Sequence, residues 1–365
     1  MLKAIGLMSG TSLDGVDVAL IETDGERIGA FGPTDYRRYS DQERELLRRA
    51  LADAVSISER NERPGALSEA ERLITEIHAE VVKRFLQNNS IAPSAIDVVG
   101  FHGQTVLHRP EQRLTVQIGD GEALAKALGI QVVFDLRAAD VAAGGQGAPL
   151  VPIYHRALVQ MQKRSEPTVV VNIGGVANVT YIDNETLIAC DTGPGNALLD
   201  DFMLRMTGEA VDRDGRTAAN GRVDETWIAR AMERPFFSQP APKSLDRNDF
   251  AALKLDGVTA EDGAATLTAF TATSIARIAS QLPKPPATWI VVGGGASNPT
   301  LMRMLSARLG SVDVLRGSDL GWSGDAIEAQ AFAYLAVRSL KGLPLTYPGT
   351  TGVSQPLSGG VLAKP

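Results

Sequence analysis

The chain opens twice in the same way, and that recurrence limits the folds open to it. An apolar segment, Lys3–Met8, runs into a turn of small residues, Ser9-Gly10-Thr11-Ser12-Leu13-Asp14-Gly15, and out into a second apolar segment, Asp17–Glu22. Further along, Thr168–Ile173 meets Gly174-Gly175 and continues as Asn178–Ile182. Short apolar runs bounded by glycine read as strands joined by tight turns. Two such openings in one chain mark a duplicated fold rather than an array of short repeats.

The remaining pattern is α/β. Leu46, Leu47, Ala50, Leu51 and Ala54 recur at helical spacing, and a longer helix is predicted from Ser68 to about Asn88. Its buried stripe is Leu73, Ile74, Ile77, Val81, Val82 and Phe85, and Ser68 with Glu71 has the spacing of a capping box. Strands at Ile96–Phe101, Leu114–Ile118 and Gln131–Phe134 alternate with a helix at Glu122–Leu128. Strand Leu187–Cys190 leads into Asp191-Thr192-Gly193-Pro194-Gly195-Asn196 and a helix. A helix near Ala264–Gln281, strand Thr288–Val292, a helix after Asn298 and a last helix from about Asp325 to Leu340 complete the chain. At 365 residues, two or three domains are expected. Aromatic residues are only 5% of the chain against 36 glycines, which suits sheets with tight turns. The glycine-rich stretch Ala142–Pro149 reads as a hinge or binding loop, so the expected division is residues 1–143 and 144–365, with the final helix able to return to the first domain.

Charge and cysteine content exclude several function classes. A net charge of −7 argues against nucleic acid as a partner. The basic residues of Arg37–Arg49 are interleaved with acids and read as a solvated helix face. One cysteine, Cys190, permits neither an intrachain disulfide nor a thiolate zinc cluster. No segment approaches the ~20 apolar residues of a membrane span, and Ile5–Met8 is too short for a signal-peptide core. The cytoplasm is the expected compartment.

Phosphate binding requires inward-facing backbone N–H groups with no side chain in the way. The chain lacks G-x-x-x-x-G-K-[ST], and Gly119-Asp120-Gly121 lacks the third glycine of a dinucleotide fingerprint. The turns Ser9–Gly15 and Gly174-Gly175 read either as ordinary hairpins or as a pair folded over nucleotide phosphates. Gly293-Gly294-Gly295-Ala296-Ser297-Asn298 follows a strand and opens a helix, where a flat ligand group could approach the backbone and Asn298 could cap the helix. Asp191, at the end of an apolar strand, reads either as a general base or as a cap for the helix near Asn196, a task Asn196 could also perform. Asp212-Arg213-Asp214-Gly215 lacks the further ligands of a calcium loop.

Two glycine hairpins followed by strand–GGG–helix resemble the superfamily of sugar kinases, heat-shock ATPases and actin. Within it, Gly6–Asp17, His102-Gly103-Gln104-Thr105, Asp140–Pro149, Asn172–Gly175, Asp191–Asn196, Val211–Gly215 and Gly293–Gly295 resemble, in order, the blocks of the anhydro-N-acetylmuramic acid kinase family. The resemblance implies a duplicated ribonuclease H-like (actin-like ATPase) α/β fold, with two lobes around a nucleotide cleft. It implies ATP and Mg²⁺ as cofactors, an anhydro amino sugar as substrate, a role in peptidoglycan recycling, and a homodimer.

By the same resemblance, ATP would contact Gly10, Thr11, Ser12, Leu13, Asp14, Gly15, Val16, Asp17, Asn172, Gly174, Gly175, Gly293, Gly294, Gly295 and Asn298. Asp191 would be the catalytic base. His102, Thr105, Arg137, Thr192 and Glu328 would bind the sugar, with Arg137 on the lactyl carboxylate. From the residues alone, His102 reads equally as a satisfied structural histidine, Thr105 as an ST-turn, Arg137 as a surface ion pair and Glu328 as an exposed helix charge, and the Asp212–Gly215 turn is read as a polar turn near the sugar. Met8 and Asn172 stand where many superfamily members carry acids, which leaves Asp14 and Asp17 as the metal-binding candidates. The alternative reactions are a plain hexose or amino-sugar kinase, in which Asp191 would deprotonate a sugar hydroxyl, and a non-catalytic nucleotide-dependent sugar sensor.

Overall fold

The computed structural model describes residues 1–10, 12–245, 249–250 and 252–365. The chain divides into two compact units, Met1–Met161 with Asp325–Pro365, and Gln162–Gly324.

In the first unit the strands are β1 (Leu2–Met8), β2 (Gly15–Thr23), β3 (Ile28–Arg38), β4 (Val98–Phe101), β5 (Gln104–Arg109), β6 (Leu114–Ile118) and β7 (Val132–Phe134). Its helices are α1 (Asp41–Ala54), α2 (Leu67–Asn88), α3 (Gly121–Leu128), α4 (Ala138–Ala142) and α5 (Pro152–Met161). The second unit contains β8 (Thr168–Ile173), β9 (Val176–Asp183), β10 (Thr186–Pro194), α6 (Ala197–Thr207), α7 (Arg216–Ala219), α8 (Glu225–Ala231), α9 (Ala260–Arg277), β11 (Thr288–Val292), α10 (Pro299–Leu309) and β12 (Asp313–Arg316). The chain then returns to the first unit with α11 (Ile327–Leu340), α12 (Pro348–Thr351) and β13 (Val361–Ala363).

The two sheets share one topology. The first runs β3-β2-β1-β4-β7, with β13 added beyond β7; the second runs β10-β9-β8-β11-β12. In each, the first three strands form an antiparallel meander, and the fourth and fifth lie parallel to the first. That order and sense define the ribonuclease H-like fold, present here in duplicate. The parallel strands β4 and β11 are buried at every residue, as strands covered on both faces must be. The outer strand β3 is largely accessible.

Most of the predicted elements are present, with instructive differences. The capping box falls at the start of α1, where the Ser40 hydroxyl accepts from Glu43 N and the Glu43 carboxylate accepts from Ser40 N. It does not fall at Ser68 and Glu71: α2 begins at Leu67, Glu71 pairs with Arg63, and the N–H of Ala66 donates to Asp53 at 2.8 Å. Strand β10 continues past Cys190 to Pro194, so Asp191 lies within the ladder.

The division between units also differs from the expected position after Ala143, which falls inside the first unit. The segment Ala142–Pro149 is anchored there by Asp140, whose carboxylate accepts from Gly147 N and from the Thr351 hydroxyl, both at 2.6 Å. Helix α5 is held in the same unit, the Tyr154 hydroxyl donating to Gln330 Oε1 of α11 at 2.9 Å.

Helix α11 covers one face of β1, β2 and β4. It can lie that close because Gly6 and Gly100, paired across β1 and β4, have no side chains. A Cβ on Gly6 would overlap the Ala329 carbonyl, and one on Gly100 the Phe332 carbonyl. The buried Arg338 guanidinium fastens the far end of α11, donating to the carbonyls of Gly25 at 2.6 Å and Pro344 at 2.7 Å.

Candidate active site

In the first unit, the β1–β2 turn is fixed from below. Ser9 is fully buried and donates its hydroxyl to the Gly103 carbonyl at 2.7 Å, while Gln104 Nε2 donates to the Gly10 carbonyl at 3.2 Å. The Asp14 carbonyl accepts from Tyr39 N at 2.9 Å. Leu13 is buried with φ +57°, which turns the chain back into β2. Thr11, expected among the ATP contacts, lies outside the described residues. Ser12 and Asp14 are exposed, and a Cβ on Gly10 would meet only the Ser12 side chain, so an approaching anion could reach this backbone. Gly15 and Val16 are buried in β2, and a Cβ on Gly15 would strike Tyr36 and the Arg37 carbonyl. Gly15 therefore has a packing role of its own.

Four acids belong to this neighbourhood. Asp17, on β2, has its pKa raised to about 6, first by burial and then by the charges of Glu328, Asp325 and Asp14. Like charges that raise a carboxyl pKa leave the site receptive to a cation. The donors are hard oxygens, which suits Mg²⁺, an ion that keeps several waters when bound by proteins. Among the described residues no group of three acids, histidines or cysteines is close enough to cage a metal unaided. As oxygen donors, Asp14 and Asp17 are of the kind that fits a water-mediated Mg²⁺ site.

The remaining candidates of this unit surround His102 and α11. Arg137 Nη1 donates to the Gly147 carbonyl at 2.7 Å and Nη2 lies 3.2 Å from His102 Nε2. Burial lowers the Arg137 pKa, and Glu328 and Asp140 oppose the shift. Glu328 stands in the first turn of α11 and opens to solvent; the surrounding protein raises its pKa, and Arg137 draws it back. Thr105 is half-buried on β5, opposite Gln117 of β6.

In the second unit, the β8–β9 turn is joined to the start of α6. The Gly175 carbonyl accepts from Gly195 N and Ala197 N, and the Gly174 carbonyl from Asn196 N, at 2.7–3.2 Å. Gly195 is essential to this contact, since a Cβ there would enter the Gly174 carbonyl. At Gly174 and Gly175 an added Cβ would find only atoms 3.7 Å away, leaving the turn open to a ligand.

Asp191 lies at a β-bulge, where the register against β9 shifts between Asp191 and Gly193. Bulges re-aim side chains and are common beside active sites. Its Oδ2 accepts from Leu245 N at 2.7 Å, and its own N–H donates to the Lys243 carbonyl at 2.9 Å. Burial raises its pKa to about 6 against the opposing Leu245 hydrogen bond, so it is mostly ionised at neutral pH yet remains a competent proton acceptor. Asp191 does not cap α6. Asn196 occupies the cap position without a side-chain capping bond, its amide lying instead 3.4 Å from the Ile173 carbonyl. Thr192 is buried and donates to the Ala177 carbonyl at 3.1 Å, so its hydroxyl serves the sheet.

The Gly293–Asn298 turn borders a cavity of about 260 Å³ lined by Asn196, Asp200, Asp212, Gly294 and Asn298, among others. Asn298 caps α10, accepting from Leu301 N at 3.0 Å. Gly293 has φ +78°, and a Cβ on it would meet the Asn172 side chain; Gly295 is closed off by Ile173. Only Gly294 of the three faces open space. The Asp212–Gly215 turn borders the same cavity and lies against α10, with the Thr300 hydroxyl donating to the Gly215 carbonyl at 2.8 Å. Nothing in the sequence points to Lys243 and Leu245, because backbone acceptors and donors leave no signature in residue type. Asp325 could have been found, lying three positions before Glu328 at the start of a predicted helix.

The sequence model of the family described as anhydro-N-acetylmuramic acid kinase matches residues 2–365. An anhydro-N-acetylmuramic acid kinase of Bradyrhizobium diazoefficiens is 66% identical over 366 residues, covering 100% of both chains. One of Rhodopseudomonas palustris (strain BisB18) is 64% identical over 365 residues, again with 100% of both covered. Among solved structures, a ROK hexokinase from Thermus thermophilus aligns with a TM-score of 0.43 at 11% identity, over 93% of this chain and 100% of its own. Matched from end to end by the family and by relatives of equal length, the chain belongs to the anhydro-N-acetylmuramic acid kinase family.

Proposed function

We propose that the chain is an ATP-dependent kinase that opens the 1,6-anhydro bond of 1,6-anhydro-N-acetylmuramic acid and phosphorylates O6, giving N-acetylmuramic acid 6-phosphate and ADP. The observation that carries the reading is Asp191, a carboxylate with a pKa near 6, aimed by a bulge and gripped on one oxygen by a backbone N–H. Among the described residues no hydrogen bond reaches its other oxygen, which would take a proton from water as that water attacks C1. The C1–O6 bond breaks, O6 captures the γ-phosphoryl group, and the bond from phosphorus to the β-phosphate oxygen breaks. Ordinary glycosidases need a second carboxyl to protonate the leaving oxygen; here phosphorus takes that place.

The open backbone at Gly10, Gly174 and Gly175 supports phosphate binding, and the Gly294–Asn298 turn supports the adenosine moiety. Asp17 and Asp14 would hold Mg²⁺ through water, and the ion would supply charge neutralisation for phosphoryl transfer. Arg137 fits the lactyl carboxylate, for which a guanidinium offers paired donors, and Glu328 a sugar hydroxyl. Thr105 is retained as a sugar contact. The buried hydroxyl of Thr192 supports a structural part more than a ligand contact. Family membership extends the reading to a cytoplasmic homodimer in peptidoglycan recycling. No described helix is long and apolar enough to cross a membrane.

Turnover in ¹⁸O-labelled water tests the mechanism. The product should carry one phosphate on O6 and the heavy oxygen on C1. A phosphorylated product with the anhydro bond intact, or equal turnover of the open sugar, would establish the plain sugar-kinase reaction instead.

A further inference from the structure

His102 has no ring atom left for a ligand. It is 3% exposed, with its ring edge-on to Phe332 at 4.7 Å between centroids. Its Nδ1 lies 2.7 Å from the Gly103 carbonyl, an acceptor, so Nδ1 carries the hydrogen. Its Nε2 faces Arg137 Nη2, a donor with no lone pair, so Nε2 must be the acceptor. One neutral tautomer satisfies both contacts. Burial and the Arg137 charge, which lower the His102 pKa to about 3, keep it neutral.

The contacts on either side give this tautomer a purpose. The Gly103 carbonyl that accepts from His102 also accepts the Ser9 hydroxyl, the buried anchor of the β1–β2 turn. The Arg137 guanidinium that His102 receives is held on its other arm by the Gly147 carbonyl, and Gly147 N is held by Asp140. Two neutral acceptors, the His102 ring and the Gly147 carbonyl, thus fix the plane of the guanidinium through hydrogen bonds, while the Glu328 and Asp140 carboxylates act on it through space. A carboxylate in either place would hold it as well but would cancel the attraction for an anionic ligand. Phe332, one turn beyond Glu328 on α11, supports the ring from the side.

The geometry points to His102 as a positioning residue that orients Arg137 toward the substrate carboxylate and ties that orientation to the Ser9 anchor of the phosphate turn, rather than as a sugar ligand. The inference rests on the reading of Arg137 as the lactyl-carboxylate ligand and adds the means by which its specificity is set.

The test compares kcat/KM for the lactyl-bearing anhydro sugar with that for the same anhydro amino sugar lacking the lactyl ether. In His102→Gln the amide oxygen can replace Nε2 as acceptor, whereas His102→Asn is too short to reach Arg137 and His102→Leu has no acceptor. Arg137→Gln should abolish the preference for the lactyl sugar. His102→Asn and His102→Leu should cut it by about tenfold, the scale of one misaligned charged hydrogen bond, with KM for ATP changed less. His102→Gln should restore most of it, and no variant should alter the pH profile between 5 and 9. Loss of preference in Arg137→Gln with none in the Asn and Leu variants overturns the positioning role and leaves the Arg137 reading standing. An unchanged preference in Arg137→Gln overturns both. A Gln variant as impaired as Leu, with melting temperatures matched, overturns the acceptor argument.

Discussion

The two units have the same strand order but use their third strands differently. In the first unit β3 is an accessible outer strand with no candidate site residue. In the second, β10 is largely buried, bulges at Asp191 and leads into the glycine segment that joins the β8–β9 turn. The β1–β2 turn of the first unit is held by side chains, Ser9 and Gln104, and bordered by acids. The corresponding turn of the second is held, among the described residues, mainly by backbone hydrogen bonds from Gly195, Asn196 and Ala197. On the proposed reading, both units keep a phosphate-type turn at the shared position, while proton transfer would fall to one and cation and anion recognition to the other.

That division makes substitutions in the two units separable by kinetics. Asp191→Asn keeps an acceptor for Leu245 N–H but removes the base, so kcat should fall by at least ~10²-fold, the usual scale for a lost general base, with nucleotide affinity unchanged in calorimetry. Retention of wild-type turnover would erase the proposed asymmetry. The same residue sets the acid limb of the kcat profile. The base acts deprotonated, so activity should decline as pH falls through about 6 and hold above it.

In the first unit, Gly6→Ala should destabilise the protein by about 1–3 kcal/mol, the range for overpacking, read as a lowered midpoint in urea. An unchanged midpoint would show that α11 is not seated where described. Asp17→Asn should raise KM for MgATP by roughly tenfold, about the value of one charge-assisted contact, while kcat falls less. A loss confined to kcat would move proton transfer into the first unit. The smallest effect belongs to Asn298→Ala, which removes one helix cap worth about 1 kcal/mol and should raise KM for ATP a few-fold, with sugar KM unaffected.

Much of this was legible in the residues. Two strand–glycine–strand openings announced the duplication, the glycines leaving backbone open at Gly10, Gly174 and Gly175. Asn298 was recognisable as a cap because its side chain acts three residues away on its own helix. What the sequence hid was long-range. Ser68 and Glu71 matched a local template, but Asp53 and Arg63 determine how that helix begins. By its type His102 reads equally as a structural histidine or a sugar contact, and only the placement of Gly103 and Arg137 shows both nitrogens occupied. The helix closing the first sheet is coded after the whole second unit, so no neighbouring residues could reveal its partner.

That last arrangement has a cost during synthesis. The face of β1 and β4 bearing Gly6 and Gly100 awaits a helix translated only after the whole second unit. At roughly 5–20 residues per second, the emerging N-terminal sheet stays uncovered for on the order of ten seconds or more. A nascent chain stalled before Ile327 would present that bare sheet to chaperones, and a gene truncated there should yield aggregates rather than a half-sized protein.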